Sequence, residues 1–121
     1  MVSKIVVESI EFVGPKWART QRIEIPSNEG VKIGKDRKNH LVVTEALTKS
    51  PPSREHCTIT VERENLFLQD HSTNGTAILR LNGTNRSLIE IKGRKEPIFM
   101  TDFIFLGDGM SGNIYRVQFV H

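Results

Sequence analysis

The chain has 121 residues, of which 37% are hydrophobic and 26% are charged, with a formal net charge of +3. This length supports one domain with a single core and is too short for two. The composition is that of a globular chain rather than a disordered one. No apolar run of about 18 residues occurs, so we expect no membrane-spanning helix. The N-terminus also lacks an apolar block of signal-peptide length.

Short β-type runs, separated by turn residues, follow one another along the whole chain. No segment has a helical period over ten or more residues. The spacing therefore predicts an all-β sandwich of about ten to eleven short, mainly antiparallel strands. Residues 44–52 are predicted as a loop and Gly107–Gly109 as a turn. The predicted strands are Ile5–Phe12, Arg22–Ile25, Val31–Gly34, Leu41–Val43, Cys57–Val61, Leu66–Leu68, Ala77–Leu81 before an Asn82-Gly83 turn, Leu88–Ile91, Pro97–Met100, Phe103–Leu106 and Ile114–Val120.

Two of these strands bring separate polar loops to one place. Cys57–Val61 and Leu66–Leu68 are joined by the charged, turn-like Glu62–Asn65, so they form an antiparallel hairpin. The loop before the first strand, Ser53–His56, and the loop after the second, Asp70–Thr76, then meet at one end. Hydroxyls, an amide and a guanidinium at such a rim suit an oxyanion such as phosphate.

Three motifs in this region resemble a known family. Gly34-Lys35, Ser53–His56 and Ser72–Thr76 are similar, in order and spacing, to the motifs of forkhead-associated (FHA) domains. The resemblance covers about residues 31–107 and implies a β-sandwich that binds phosphothreonine in partner proteins through Arg-containing loops. We therefore expect residues 1–121 to form a single FHA-like phosphopeptide-binding domain.

The resemblance also implies which residues bind the phosphate. Arg54 would donate a forked pair of hydrogen bonds, if it is not simply a surface arginine paired with Glu55 or Glu62. Ser53 and Thr73 would donate hydroxyls from opposite loops. Lys35 stands where the family has arginine, so it keeps the charge and loses the planar fork. Arg37 could supply an accessory contact if its side chain reaches the same rim.

Four further residues receive roles from the resemblance. Asn74 would bind the backbone of the bound peptide. His56 would brace the phosphate loop through hydrogen bonds, as a structural residue. Gly75 is expected to take a positive φ in the turn after Asn74. Gly34 is interpreted in the same way, as the residue that sets the loop beyond it.

Hydrolytic catalysis is an alternative to the phosphopeptide-binding function. Ser53, His56 and Asp70 are the residue types of a hydrolytic triad. However, Ser53 stands between Pro52 and Arg54 and lacks the glycine-flanked sharp turn of a serine nucleophile. We therefore predict no enzyme activity. We also predict no metal and no cofactor, because the spacing of the metal-ligating residue types is not that of a zinc site. Those residues are His40, His56, Cys57 and His71.

The function predicted from the sequence is a phosphothreonine-dependent interaction module that acts as a signalling adaptor within a larger protein. The partner would be a phosphothreonine-containing protein or peptide. A lone cysteine, Cys57, fits a reducing compartment, so nucleus or cytoplasm is expected. The alternative is an FHA-like sandwich whose phosphate site has degenerated, leaving phospho-independent interaction or dimerisation. Nucleic-acid binding is disfavoured, since no exposed aromatics are interleaved with the basic residues.

Overall fold

The structure of the chain is a computed structural model that describes residues 3–13, 16–43, 53–106 and 114–120. The described residues form eleven strands, and they include no helix that could cross a membrane. The strands are β1 (Lys4–Val13), β2 (Lys16–Pro26), β3 (Val31–Gly34), β4 (Leu41–Val42), β5 (Cys57–Glu62), β6 (Asn65–Asp70), β7 (Thr76–Asn82), β8 (Asn85–Ile91), β9 (Lys95–Ile98), β10 (Phe103–Leu106) and β11 (Ile114–Val120).

The strands make two sheets. One has the order β2-β1-β11-β10-β7-β8, and the other has the order β4-β3-β5-β6-β9. Neighbouring strands are antiparallel with the single exception, among the described residues, of β3 and β4, which are parallel. The predicted all-β sandwich with mainly antiparallel strands is therefore confirmed.

Alternation along the strands places the core between the two sheets. In β5, Cys57 and Ile59 are buried, while Thr58 and Thr60 on the opposite face are half-buried. Successive side chains of a strand point to opposite faces, and β-branched residues pack well on a pleated surface. The residues with essentially no exposed surface include Ile5, Val7, Val31, Ile33, Ile59, Leu68, Ile78, Ile91 and Ile104.

The hairpin of β5 and β6 positions the polar loops. Its register runs from Cys57 opposite Asp70 to Glu62 opposite Asn65. The turn is therefore only Arg63 and Glu64, with φ values of 51° and 65°, as a two-residue turn that matches the strand twist requires. The loops before β5 and after β6 lie together at the other end of the hairpin, as the sequence predicted.

Several strand boundaries differ from the predicted ones. β2 begins six residues before Arg22. β8 begins at Asn85, since Asn82 pairs with Asn85 across the turn. The first four residues of β8 are exposed, so backbone pairing with β7, rather than an apolar pattern, defines this edge strand. β9 is Lys95–Ile98, not Pro97–Met100. The loop predicted at 44–52 and the turn at 107–109 lie outside the described residues.

Candidate functional site

Three loops meet at one rim of the sandwich. The loop after β3 donates two backbone hydrogen bonds to the loop before β5: Lys35 N to Ser53 O, at 3.0 Å, and Asp36 N to Arg54 O, at 3.1 Å. The loop after β6 joins through Thr73 N, which donates to Ser53 Oγ at 3.0 Å. The predicted site residues of all three loops are thereby brought to the same end of the molecule.

Gly34 is needed for space rather than for an unusual backbone angle. A Cβ at this position would lie 2.0 Å from the carbonyl oxygen of Arg54 and 2.8 Å from the Asn39 amide nitrogen. Its φ lies outside the positive range, so the expectation that Gly34 resembles Gly75 in this respect is wrong. Gly75 does have a positive φ, of 88°. The close approach at Gly34 lets the first two loops contact each other through their main chains.

Asn39 stabilises this contact, although no sequence pattern pointed to it. Its side-chain amide donates to Asp36 O at 2.8 Å and to Arg54 O at 2.7 Å. The residue is buried. An asparagine in a charged loop is usually read as a turn residue bonded to its own loop, and here it also reaches across to another. Only the folded structure reveals the second bond.

His56 is fully buried, and both ring nitrogens are bonded to main-chain atoms. Nδ1 accepts from Ser53 N at 3.0 Å, which makes Nε2 the protonated nitrogen, and Nε2 donates to Gly75 O at 2.9 Å. Burial lowers the pKa of His56, although the Gly75 hydrogen bond and the charge of Asp70 act in the opposite direction. A neutral imidazole thus ties the loop before β5 to the loop after β6.

Asp70 anchors the other side of the same loop. Its carboxylate accepts from Ser72 Oγ at 2.6 Å, Thr76 Oγ1 at 2.8 Å and Gly93 N at 2.8 Å. Burial by itself raises the pKa of Asp70, but these hydrogen bonds outweigh it and hold the pKa below its ordinary value. Ser72 Oγ also accepts from Gly75 N at 2.7 Å, so the turn is held from within.

These bonds leave no arrangement of the described residues that resembles a hydrolytic triad. His56 Nδ1 accepts from the backbone of Ser53 rather than from its hydroxyl, and Ser53 Oγ accepts from Thr73 N. The hydrogen-bond donors to the carboxylate of Asp70 do not include His56. Burial also raises the pKa of the Cys57 thiol, which disfavours a thiolate. No cluster of three potential metal ligands occurs within the described ranges.

The outer surface of the rim is polar and basic. Arg54 and Thr73 are exposed, Ser53, Lys35 and Asn74 are half-buried, and Arg37 is exposed. Within the described part of the chain, the Arg54 guanidinium has no acidic partner. Glu62, one of the partners considered from the sequence, is paired instead with Lys95 at 2.7 Å. The hydrogen of the Ser53 hydroxyl also remains available to an acceptor, since Oγ uses a lone pair to bind Thr73 N.

Comparisons with known proteins agree with this architecture. The FHA domain family model matches residues 31–95, which is more than half of the chain. Curated protein sequences give no match. The FHA-1 domain of Mycobacterium tuberculosis Rv1747 is 15% identical, with both chains covered in full and a TM-score of 0.65. An Arabidopsis thaliana FHA domain is 19% identical over 99% of this chain and 88% of that one, with a TM-score of 0.66. The MEK1 FHA domain bound to a HOP1 phosphothreonine peptide is 19% identical over 95% and 97% of the two chains, with a TM-score of 0.59. At these identities the structural likeness shows the fold.

His56→Ala should lower the free energy of unfolding by roughly 1–3 kcal/mol, because it leaves buried backbone groups unpaired. The pKa of His56 is lower in the folded state than its ordinary value of 6.5. The contribution of His56 to folding stability is therefore complete above pH 6.5, and it is lost as the pH falls from 6.5 towards the pKa of the folded state. Urea unfolding between about pH 7 and pH 5 should show a shallower acid dependence in the variant than in the parent.

The matched control for that experiment is His71→Ala, since His71 is exposed. Its effect on stability should stay within about 0.5 kcal/mol. An equal loss of stability in both variants would contradict the bracing role of His56.

Gly34→Ala should destabilise the domain by roughly 1–3 kcal/mol, because the new methyl group meets a main-chain oxygen that cannot rotate away. Hydrogen exchange should then accelerate at the amides of Lys35 and Asp36, which bond the opposite loop. Gly83→Ala is the control, since nothing lies within 4 Å of its Cβ position and only its positive φ is strained. Retained protection in Gly34→Ala would mean that the two loops accommodate the methyl group without losing these hydrogen bonds, so that a glycine is not required there.

Proposed function

The chain belongs to the FHA domain family, and we propose that it is a phosphothreonine-dependent protein interaction module. It binds a phosphorylated segment of a partner protein through the rim loops and needs no cofactor. The module acts as a non-catalytic adaptor within a larger protein, in the nucleus or cytoplasm. The neighbour bound to a phosphothreonine peptide supports threonine as the phosphorylated residue.

The observation that carries this proposal is the exposed Arg54 guanidinium beside a framework that fixes its backbone. The carbonyl of Arg54 accepts from Asp36 N and from the Asn39 amide, so its main chain cannot turn without breaking two hydrogen bonds. The side chain is exposed to solvent. From this fixed backbone position the guanidinium can meet a phosphate with two parallel N–H donors, and each such charge-assisted bond contributes roughly 1.5–3 kcal/mol.

Neighbouring groups complete the phosphate site. Ser53 offers its hydroxyl hydrogen, and the backbone of Thr73 is held at that same hydroxyl oxygen, which brings the two side chains to the phosphate from opposite loops. Lys35 adds charge from the third loop, where Arg37 follows it as an accessory cation. Asn74 binds the peptide backbone, which gives affinity without dictating the flanking side chains.

Gly34, His56 and Gly75 support the site without touching the ligand. Their contacts are with main-chain atoms: the Arg54 carbonyl for Gly34, and the Ser53 amide for His56, which also donates to the carbonyl of Gly75. Such preorganised loops bind more tightly because less conformational freedom is lost on association. The degenerate-site alternative rests on Lys35, since a lysine contributes a point charge where the family has an arginine fork.

Arg54→Ala should weaken binding of a library-selected phosphothreonine peptide by at least about 100-fold, to the limit of detection, since two charge-assisted bonds are lost. The melting temperature should change by no more than a few degrees, because an exposed arginine adds little stability. Calorimetry measures the affinity, and the unphosphorylated peptide should not bind. Arg86→Ala, which removes an exposed cation from β8, is the control. Equal binding of phosphorylated and plain peptides would favour the degenerate-site alternative.

Lys35→Arg should tighten phosphopeptide binding by about fivefold if position 35 faces the phosphate, because a fork replaces a point charge. Lys35→Ala should weaken binding and reduce its dependence on salt, since one cation leaves the site. If Arg37 holds the phosphate instead, Arg37→Ala is the damaging change. Calorimetry at two salt concentrations distinguishes these outcomes. If none of the three variants changes the affinity for the phosphopeptide, the loop after β3 does not contact the phosphate.

A further inference from the structure

A small cavity of about 130 Å³ lies beside the phosphate site, on the outer face of the five-stranded sheet. Its lining includes Asn39, whose amide is bonded to the Arg54 carbonyl, and Glu55, the residue after Arg54. The cavity therefore borders the proposed phosphate site. The volume corresponds to about four water molecules, which suits a carboxylate or a phosphate group better than a large aromatic side chain.

The floor of the cavity presents polar groups from three neighbouring strands and loops. Lys32 on β3 lies directly opposite Thr58 on β5, and both point away from the core. His71, just after β6, has its Nε2 atom 3.1 Å from Thr58 Oγ1. If His71 donates in this bond, the Thr58 hydroxyl hydrogen is available. If Thr58 donates, Nδ1 of His71 carries the available hydrogen. Either arrangement leaves one donor for an anion.

The charge of this region matches an anionic ligand. Residues 32–38 and 53–56 contain five Lys or Arg and two acidic residues, an excess that equals the +3 of the whole chain. Within the described ranges, the cationic side chains of Lys32, Arg37 and Lys38 have no ion pair with an acid. Several cations elsewhere are in ion pairs, namely Lys4 and Arg22 with Glu24, Arg80 with Asp102, Arg94 with Glu96, and Lys95 with Glu62. Arg63, Arg86 and Lys92 are also without an ion pair within the described ranges, but they are not clustered with other cations around a cavity.

One acidic residue, Glu55, also lines the cavity. It opposes an anion, so the ligand must contact the side of the cavity formed by Lys32, Thr58 and His71. Lys32 is exposed at its position between buried Val31 and Ile33, so its ammonium can move over the cavity mouth while its backbone stays fixed in the sheet. Its backbone N–H is in turn bonded to His40 Nδ1 at 3.0 Å.

We propose that Lys32, Thr58 and His71 form a second anion-binding subsite, which takes an acidic group from the same peptide that carries the phosphothreonine. The group is a carboxylate or a second phosphate. The subsite rests on the proposed function, since the phosphothreonine anchors the peptide next to it. An extended chain advances about 3.3 Å per residue, so the acidic group lies within about four residues of the phosphothreonine.

A peptide series tests this subsite. The reference is a phosphothreonine peptide with neutral flanks, and each variant places one Asp, or one second phosphothreonine, at one of about four positions on either side. Calorimetry should show that an acidic group at one or two adjacent positions tightens binding by about threefold to tenfold. A larger gain from phosphate identifies a doubly phosphorylated ligand, and an equal gain from Asp identifies an acidic flank.

Three variants of the protein locate the effect. Lys32→Gln should abolish the gain from the acidic flank while the affinity for the neutral-flank peptide changes by less than about twofold. Thr58→Val should reduce the gain. Arg86→Gln, which removes the same charge from the other sheet, should preserve it. The subsite is wrong if the increase in affinity from an acidic flank survives in Lys32→Gln, or if no peptide position gives such an increase.

The proposed function and the subsite fail in different ways. If the neutral-flank peptide binds, and Arg54→Ala abolishes that binding, while no acidic flank has an effect, only the subsite is wrong. If no phosphopeptide binds, or if Arg54→Ala leaves binding unchanged, the proposed function is wrong and the subsite falls with it.

Discussion

The carbonyl oxygen of Arg54 is the point on which the arrangement of the rim depends. It accepts from Asp36 N and from the amide of Asn39, and it lies so near Gly34 that no side chain fits there. The side chain of the same residue is exposed to solvent. The position of Arg54 at the rim is therefore set by hydrogen bonds to its backbone and not by contacts of its side chain.

Two buried ionisable groups hold the remaining loops, in opposite charge states. His56 is neutral because burial disfavours its charged form, and each ring nitrogen meets a backbone group that matches this state. Asp70 is charged because hydrogen bonds from three donors outweigh the effect of burial on its pKa. Both groups keep their bonds near neutral pH. On acidification the contribution of His56 to folding stability falls first, since its ordinary pKa is the higher of the two.

The sequence predicted the strands and the hairpin, which follow from patterns of consecutive residues. It did not predict the contacts between loops that are far apart along the chain. The hairpin of β5 and β6 follows from two apolar runs and a charged turn, and it alone brings Ser53 and Thr73 to one place. Asn39 and the space requirement at Gly34 depend on a contact 15 to 20 residues away along the chain, which no local pattern encodes. The sequence also did not predict the parallel pairing of β4 with β3. The roles in ligand binding came from motif resemblance and stay predictions.

The turn at Arg63 and Glu64 has a practical consequence for handling the domain. It closes the end of the hairpin away from the rim, and six residues of β5 separate it from the loop at Ser53. At about 3.3 Å per residue this is a distance of about 20 Å, more than twice the screening length at physiological salt. A surface or fluorophore attached there would leave the rim facing solvent and would barely perturb its electrostatic field. The fold thus supplies an attachment point for immobilised binding assays.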